Sequence, residues 1–483
     1  MRRKLTAWIL AACMLGSAAA FAADDAPEKL SLSGVCETEN GGFLAADTFN
    51  KVLWSVRDGV FTRYAGAIPA ADLSGEPQGL YYDGAADKAY FMEPWDVVPF
   101  LDGYAVSDAG ANAIRYVTDQ EARTFAGGSE AGSTDGAGTR AAFDRPTGLA
   151  VNDKGELYVA DTGNGAIRLV GKTGTVSTYV KGLDEPTGLC WHDGALYVAE
   201  TGRSRILRIV DGKAEVYAGV SEQAEDDGEY YGGFANGPAE TARFDHPQGL
   251  AMGEDGTLYV ADTLNRAIRM VRDGRVYTVA AGVTPRGIVA KDGTIYAADA
   301  LTGRLAGVMI PTGGYADVAS DAWYGDYVKE ATLRGLINGM DDGEFSPQTA
   351  LSRAMFATIL SRLHSYTDGT AVIDGDGVFS DVAEGSWYAA PARWAVDSGI
   401  IDGMDGAFEP SAPVTREQLM TMLYRYAAAG AESGSLADAF AISGWATATG
   451  VIGGENGMLQ PSAPASRAEA AAIVIRFMDA CGW

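Results

Sequence analysis

The 483-residue chain is poor in the residues that most sites of metal, redox or nucleophilic chemistry need: it has four cysteines and three histidines. Cys13 falls in an apolar N-terminal run, which leaves Cys36, Cys190 and Cys481. An odd count of that kind is not a disulfide framework. His192, His246 and His364 lie far apart, and no G-x-S-x-G, phosphate loop, Cys-x-x-Cys or His-x-x-x-His occurs. No apolar run beyond Phe21 approaches the ~18 residues of a membrane span. Positive charge is short as well, with 37 Lys and Arg against 64 Asp and Glu and a net charge of −27. That balance argues against nucleic acid or an anionic membrane as partner. It suits a solvated extracellular surface. No cofactor is expected; calcium is the one candidate, through the acidic run that includes Asp226 and Asp227.

What is present begins with an export signal. Arg2, Arg3 and Lys4 precede an apolar stretch, and Ala20, Phe21 and Ala22 form a small-x-small cleavage pattern. Residues 1–22 read as a signal peptide cut after Ala22. Leu10, Ala11, Ala12 and Cys13 also fit a lipoprotein box, but the residues after Cys13 stay apolar where a polar tether belongs. An exported chain without a membrane span needs a binding module to stay at the cell.

Internal repetition dominates the next 290 residues or so. Residues 148–161 recur as 249–262, and one residue shorter as 188–200 and 287–299. Residues 34–47 align without a gap, and a diverged sixth copy ends at Asp108. Each copy reads as strand, tight turn, strand, with glycine turns favoured in hairpins. Six residues after each terminal carboxylate stands an apolar residue: Leu53, Ile114, Ile167, Ile206, Ile268 and Leu305. That column is the core of a third strand, and segments such as 175–180 supply a fourth. Repeated four-stranded units of ~40 residues make propeller blades, each burying its faces against its neighbours. The recurring carboxylate is expected to hydrogen-bond the turn that follows it, with a metal as the alternative.

Pro146, Gly148 and Leu149 with Tyr158, Asp161, Gly163 and Asn164 make the unit resemble the NHL repeat, and residues 32–308 carry the resemblance. It implies an all-β propeller of about six four-stranded blades over residues 23–312. Cys36 and Cys190 then occupy equivalent first-strand positions three blades apart, across the central channel, too far for a bond. The last blade lacks an evident fourth strand; Lys29 to Ser33 is the candidate to pair there.

From Tyr315 the pattern turns helical. Three segments repeat, each with an Arg six residues after a Pro: Arg353 after Pro347, Arg416 after Pro410 and Arg467 after Pro461. Ser352, Thr415 and Ser466 are N-caps. Gln418 and Glu469 complete capping boxes, whereas Met355 leaves the first box open. Each Arg is thereby expected in the first helical turn beside free backbone N–H groups, an anion site. The motifs resemble the S-layer homology repeat, in copies at 313–367, 368–432 and 433–483, giving a mainly α-helical second domain. The resemblance implies noncovalent attachment to a pyruvylated secondary cell-wall polysaccharide. Arg353, Arg416 and Arg467, their caps Ser352, Thr415 and Ser466, and Trp323 and Trp387 are the candidate contacts.

The propeller's partner is an unknown extracellular ligand: glycan, peptide or protein. Three long insertions, roughly 67–96, 127–143 and 219–245, all lead into first strands, so they are expected to gather on one face. They carry Tyr81, Tyr82, Trp95, Tyr230, Tyr231, Phe234, Asp226 and Asp227, the candidate ligand face. The plainer reading is that these aromatics pack their own loops. No catalytic residue is assigned, and a wall-anchored hydrolase or lyase is the alternative to a binding protein.

Overall fold

The computed structural model describes residues 19–20, 29–72, 75–223, 230–309, 314–319, 321–340, 344–368, 379–403, 406–429, and 460–481. The chain divides into two compact units, one spanning Ser17–Ile310 and the other containing Pro311–Trp483.

The first unit is a six-bladed propeller. The innermost strands of blades one to six are Leu32–Glu37, Pro94–Phe100, Pro146–Val151, Pro186–His192, Pro247–Met252 and Pro285–Lys291. Each pairs antiparallel with a second strand ending at Asp47, Asp108, Asp161, Glu200, Asp262 or Asp299. The core lies between blades. Phe100, Ile114 and Tyr116 of blade two, for instance, bury against Leu149, Leu157 and Val159 of blade three.

Each of the three insertions is tied to its own blade. Each contributes a short strand, Gly84–Ala85, Gly136–Ala137 or Gly237–Pro238, to the outer edge of the blade it leads into. Blades two, three and five therefore have five strands rather than four. The unpaired groups of a sheet edge attract such additions.

Closure also differs from expectation. The outer partner of the third strand of blade six, Arg304–Met309, is Ala19–Ala20, not Lys29 to Ser33. Lys29 instead offers its carbonyl to Asn50 Nδ2 at 2.8 Å. Blade six then packs face to face on blade one, burying Ala298 and Leu305 with Leu32, Val35 and Trp54. Lys291 reinforces the seam, donating to the Gly41 carbonyl at 2.7 Å and pairing with Glu37 at 2.8 Å. Cleavage after Ala22 would remove the Ala19–Ala20 pairing and leave blade six three-stranded. Cys36 and Cys190 are free thiols, as the blade spacing requires. Burial pushes Cys190 up to about 12, which keeps it inert.

The second unit holds helices α1 (Gly325–Leu333), α2 (Arg353–Asp368), α3 (Ala389–Asp397), α4 (Arg416–Ala429) and α5 (Arg467–Cys481) among its described residues. The extended segments before α2, α4 and α5 meet in a closed triangle. Val414 N–H donates to the Leu351 carbonyl, Ala465 N–H to Val414, and Leu351 N–H to Ala465, all at 2.8–2.9 Å. The triangle has threefold pseudosymmetry, as three copies of one sequence motif allow. Phe345, Phe356, Phe408 and Phe477 fill the core around it.

Candidate functional site

The capping chemistry of the second unit follows the sequence. Thr415 and Gln418 exchange hydrogen bonds, as do Ser466 and Glu469, whereas Ser352 only accepts from Met355 N–H. The backbone N–H groups at the helix starts are not free, however, contrary to that part of the expectation. Arg353 N–H donates to Ala412 O, Arg416 N–H to Ala463 O and Arg467 N–H to Thr349 O, each in the neighbouring repeat. The next N–H of each helix does the same, to Pro410, Pro461 and Pro347.

The guanidiniums sit at the same junctions. Arg353 is buried; its Nε donates to Phe408 O at 2.8 Å and its Nη2 to Asp402 O at 2.7 Å. Arg467 is equivalent, donating to Phe345 O and Asn338 O at 2.8 and 2.7 Å. Arg416 is more open and pairs with Glu469. The geometry thus groups Arg353 with Arg467, whereas the capping boxes group Arg416 with Arg467. Trp323 and Trp387 are exposed, at 54% and 44%, each edge-on to the next residue, Tyr324 or Tyr388.

In the propeller, most of the candidate aromatics pack on cations. Tyr81 lies on Arg115 and bonds Thr124, Phe234 lies on Arg269, and Tyr230 on Arg203. Tyr82 and Tyr231 remain exposed. Asp226 and Asp227 lie outside the described residues. Among the described residues, no group of three or more His, Cys, Asp or Glu side chains could hold a metal.

The recurring carboxylates act as pins. Asp47 and Asp299 accept from the turn that follows, as expected: Phe49 and Asn50 N–H in one case, Leu301 N–H in the other. Asp161 and Asp262 also hold that turn, accepting from Asn164 and Asn265 Nδ2 at 2.9 Å, and Asp108, Asp161, Glu200 and Asp262 accept from the backbone leading into their blade, through Glu93, Asp144, Asp184 and Asp245 N–H. In blades two, three and five a buried Arg, seven residues on, completes the pin: Arg115, Arg168 or Arg269. That spacing is visible in the chain, and sequence reasoning passed over it.

Trp95 alone of the aromatic candidates reaches the channel. It lines a cavity at the mouth with Ser33, Asp96, Thr187, Gln248 and Arg286. Five blades place glycine at the axis: Gly34, Gly148, Gly188, Gly249 and Gly287. A Cβ at Gly148, Gly188, Gly249 or Gly287 would strike the preceding-residue carbonyl of the neighbouring blade's axial glycine. Blade two has Asp96 in that column. Its carboxylate accepts Val97 N–H at 2.8 Å and, across the blade junction, Leu149 N–H at 2.9 Å. Burial raises it to about 6, with those two hydrogen bonds pulling the other way. Asp96 breaks a glycine column, which is the signal by which the sequence could have disclosed it.

A group held above its unfolded value favours the folded state most at low pH and loses that contribution as pH rises through about 6. Asp96→Gly, matching the other blades, should therefore gain stability relative to wild type by about 2 kcal/mol more at pH 7.5 than at pH 4.5. Urea unfolding at the two pH values measures this; a pH-independent difference would show that the charge is not the cause.

Fold and repeats together define a two-module surface protein. An S-layer homology domain model matches residues 314–357, 378–420 and 444–471, and an NHL repeat model matches 143–168. The chain carries an NHL-repeat β-propeller followed by three S-layer homology repeats, and is a secreted, wall-associated cell-surface protein. It is 31% identical over 177 residues to an amylopullulanase of Thermoanaerobacterium thermosulfurigenes, covering 34% of this chain and 9% of that one. It is 29% identical over 202 residues to the surface-layer 125 kDa protein of Lysinibacillus sphaericus, covering 38% and 17%. The chain thus spans less than a fifth of either relative. Virginiamycin B lyase of Staphylococcus aureus aligns over 58% of this chain and 95% of its own, at 14% identity and a TM-score of 0.40. At that distance nothing about activity transfers. No described helix is long and apolar enough to cross a membrane.

Proposed function

We propose that the three repeats hold the protein noncovalently on a pyruvylated secondary cell-wall polysaccharide, and that the propeller presents its channel mouth to an extracellular ligand. The observation that carries the first half is the threefold set of arginines at the repeat junctions, with Trp323 and Trp387 exposed on the first two repeats. Arginine grips carboxylates such as pyruvate ketals with paired hydrogen bonds, and exposed indoles stack on sugar rings. Relatives named as surface-layer proteins support the same reading. The mouth is favoured for the second half because a cavity there is lined by Trp95, Asp96 and Arg286. A hydrolase or lyase would have to use Asp96, the single acid lining that cavity.

The mature protein should co-sediment with purified wall sacculi and fall to background once acid extraction removes the polysaccharide. Undiminished binding to stripped sacculi would assign the anchor to peptidoglycan instead.

A further inference from the structure

The channel-mouth cavity, of ≈ 90 Å³, is lined by two ionisable groups of opposite sign, Asp96 and Arg286. They do not form an ion pair with each other. Asp96 has backbone N–H partners only. Arg286 lies over the Trp95 ring at 5.6 Å and has one long hydrogen bond, 3.4 Å to Ser31 Oγ. Glu93 is the acid whose charge it feels, and Glu93 faces Arg145 at 3.9 Å. Among the described residues, Arg286 thus has no carboxylate against it. The buried arginines of blades two, three and five each hold one.

The polar groups around the cavity divide by kind. Gln248 Oε1 is buried without a hydrogen-bond partner, an acceptor awaiting a donor. Thr187 shares its hydroxyl with Thr201, which donates onward to the Pro247 carbonyl, so Thr187 Oγ turns only a lone pair to the cavity. Acceptors therefore come from Asp96, Thr187 and Gln248, and the donor cation comes from Arg286. The glycine ring keeps the floor open, since side chains there would close it.

From this division we infer that the mouth binds a small zwitterion of the amino-acid type, its carboxylate on Arg286 and its ammonium toward Asp96 and Gln248 Oε1. Each charge of such a ligand meets a protein charge that burial has left uncompensated, so one ligand relieves both desolvation costs. Trp95 would meet its apolar part. The inference deepens the reading of the mouth as the ligand face and rests on it.

The test is calorimetric titration of the full mature protein with L-alanine, D-alanine and L-leucine, against acetate and ethylamine as half-ligands and glucuronate as an acid without an amine. Trp95 fluorescence gives a second signal. At least one amino acid should bind, with both half-ligands at least tenfold weaker. Arg286→Gln and Asp96→Asn should each weaken it at least tenfold, and Asp96→Gly, which restores the ring of the other blades, should do the same with the fold intact. Acetate or glucuronate binding as tightly as alanine, or binding indifferent to Asp96, would overturn the zwitterion. If no amino acid binds while glycan- or peptide-array capture is lost in Arg286→Gln, the inference fails and the mouth remains the ligand face. If capture persists in Arg286→Gln, both fail.

Discussion

Arg168→Leu is expected to cost the propeller about 3–5 kcal/mol, the scale for removing one partner of a buried ion pair. The guanidinium is buried, with Nη1 donating to Asp161 Oδ2 at 2.7 Å and to the Ala142 carbonyl at 2.9 Å. Nη2 donates to Asp135 at 2.7 Å and to the Thr134 carbonyl at 3.1 Å, and the group lies 5.2 Å from the Phe143 ring. One side chain thus ties the inserted segment before blade three to that blade's third strand. Burial pushes the Asp161 carboxyl up, and the Asp144 N–H, Asn164 and Arg168 only partly offset it. Without Arg168 a charged or newly protonated acid is left buried, which is the larger part of the loss. The double change Asp161→Asn with Arg168→Leu should recover a substantial share, because it removes the stranded charge as well as its partner. Urea unfolding followed by circular dichroism measures all three. A single-variant cost under about 1 kcal/mol would mean the pin is ornamental to stability.

Arg353→Ala and Arg467→Ala should each destabilise the C-terminal unit by about 3 kcal/mol, from two charge-assisted hydrogen bonds to carbonyls of the neighbouring repeat. Arg416→Ala should cost under about 1 kcal/mol, since its Glu469 pair is a quarter exposed on both sides. Scanning calorimetry of the second unit's transition reads the stability; sacculus binding below that transition reads the ligand contact. If Arg353→Ala and Arg467→Ala melt like wild type but no longer bind sacculi, these arginines are ligand groups and not pins. Equal melting losses at all three positions would contradict the distinction between buried and open junctions. The outcome bears on the anchor directly, because a junction held by arginine can offer that arginine to a wall carboxylate only in part.

Both modules were legible in the chain because their signals are local. A tight turn between two short strands, recurring with the same apolar column, specifies a blade without knowledge of its neighbours. Thr415 with Gln418, and Ser466 with Glu469, specify helix starts over three residues, and the structure has both boxes. The recurrence itself set the ring at about six blades and put Cys36 and Cys190 too far apart to bond. Pairings between distant segments were decided only when the ring and the triangle closed. Ala19–Ala20 meets Arg304–Met309 across nearly the whole propeller sequence. The insertions end on outer sheet edges because unpaired strand groups there offer hydrogen bonds that open solvent above the channel does not direct. Whether an arginine is buried against neighbouring carbonyls or pairs with an acid depends on which repeat lies beside it, and Arg467 and Arg416 differ in that although both follow a complete capping box. The mouth is the clearest case: Ser33, Trp95, Asp96, Thr187, Gln248 and Arg286 come from five blades. The repeat aligns them, five at the position before the axial residue and Asp96 at the axial position itself, but only the convergence of the innermost strands on one axis brings an acid, a cation and an indole to one cavity.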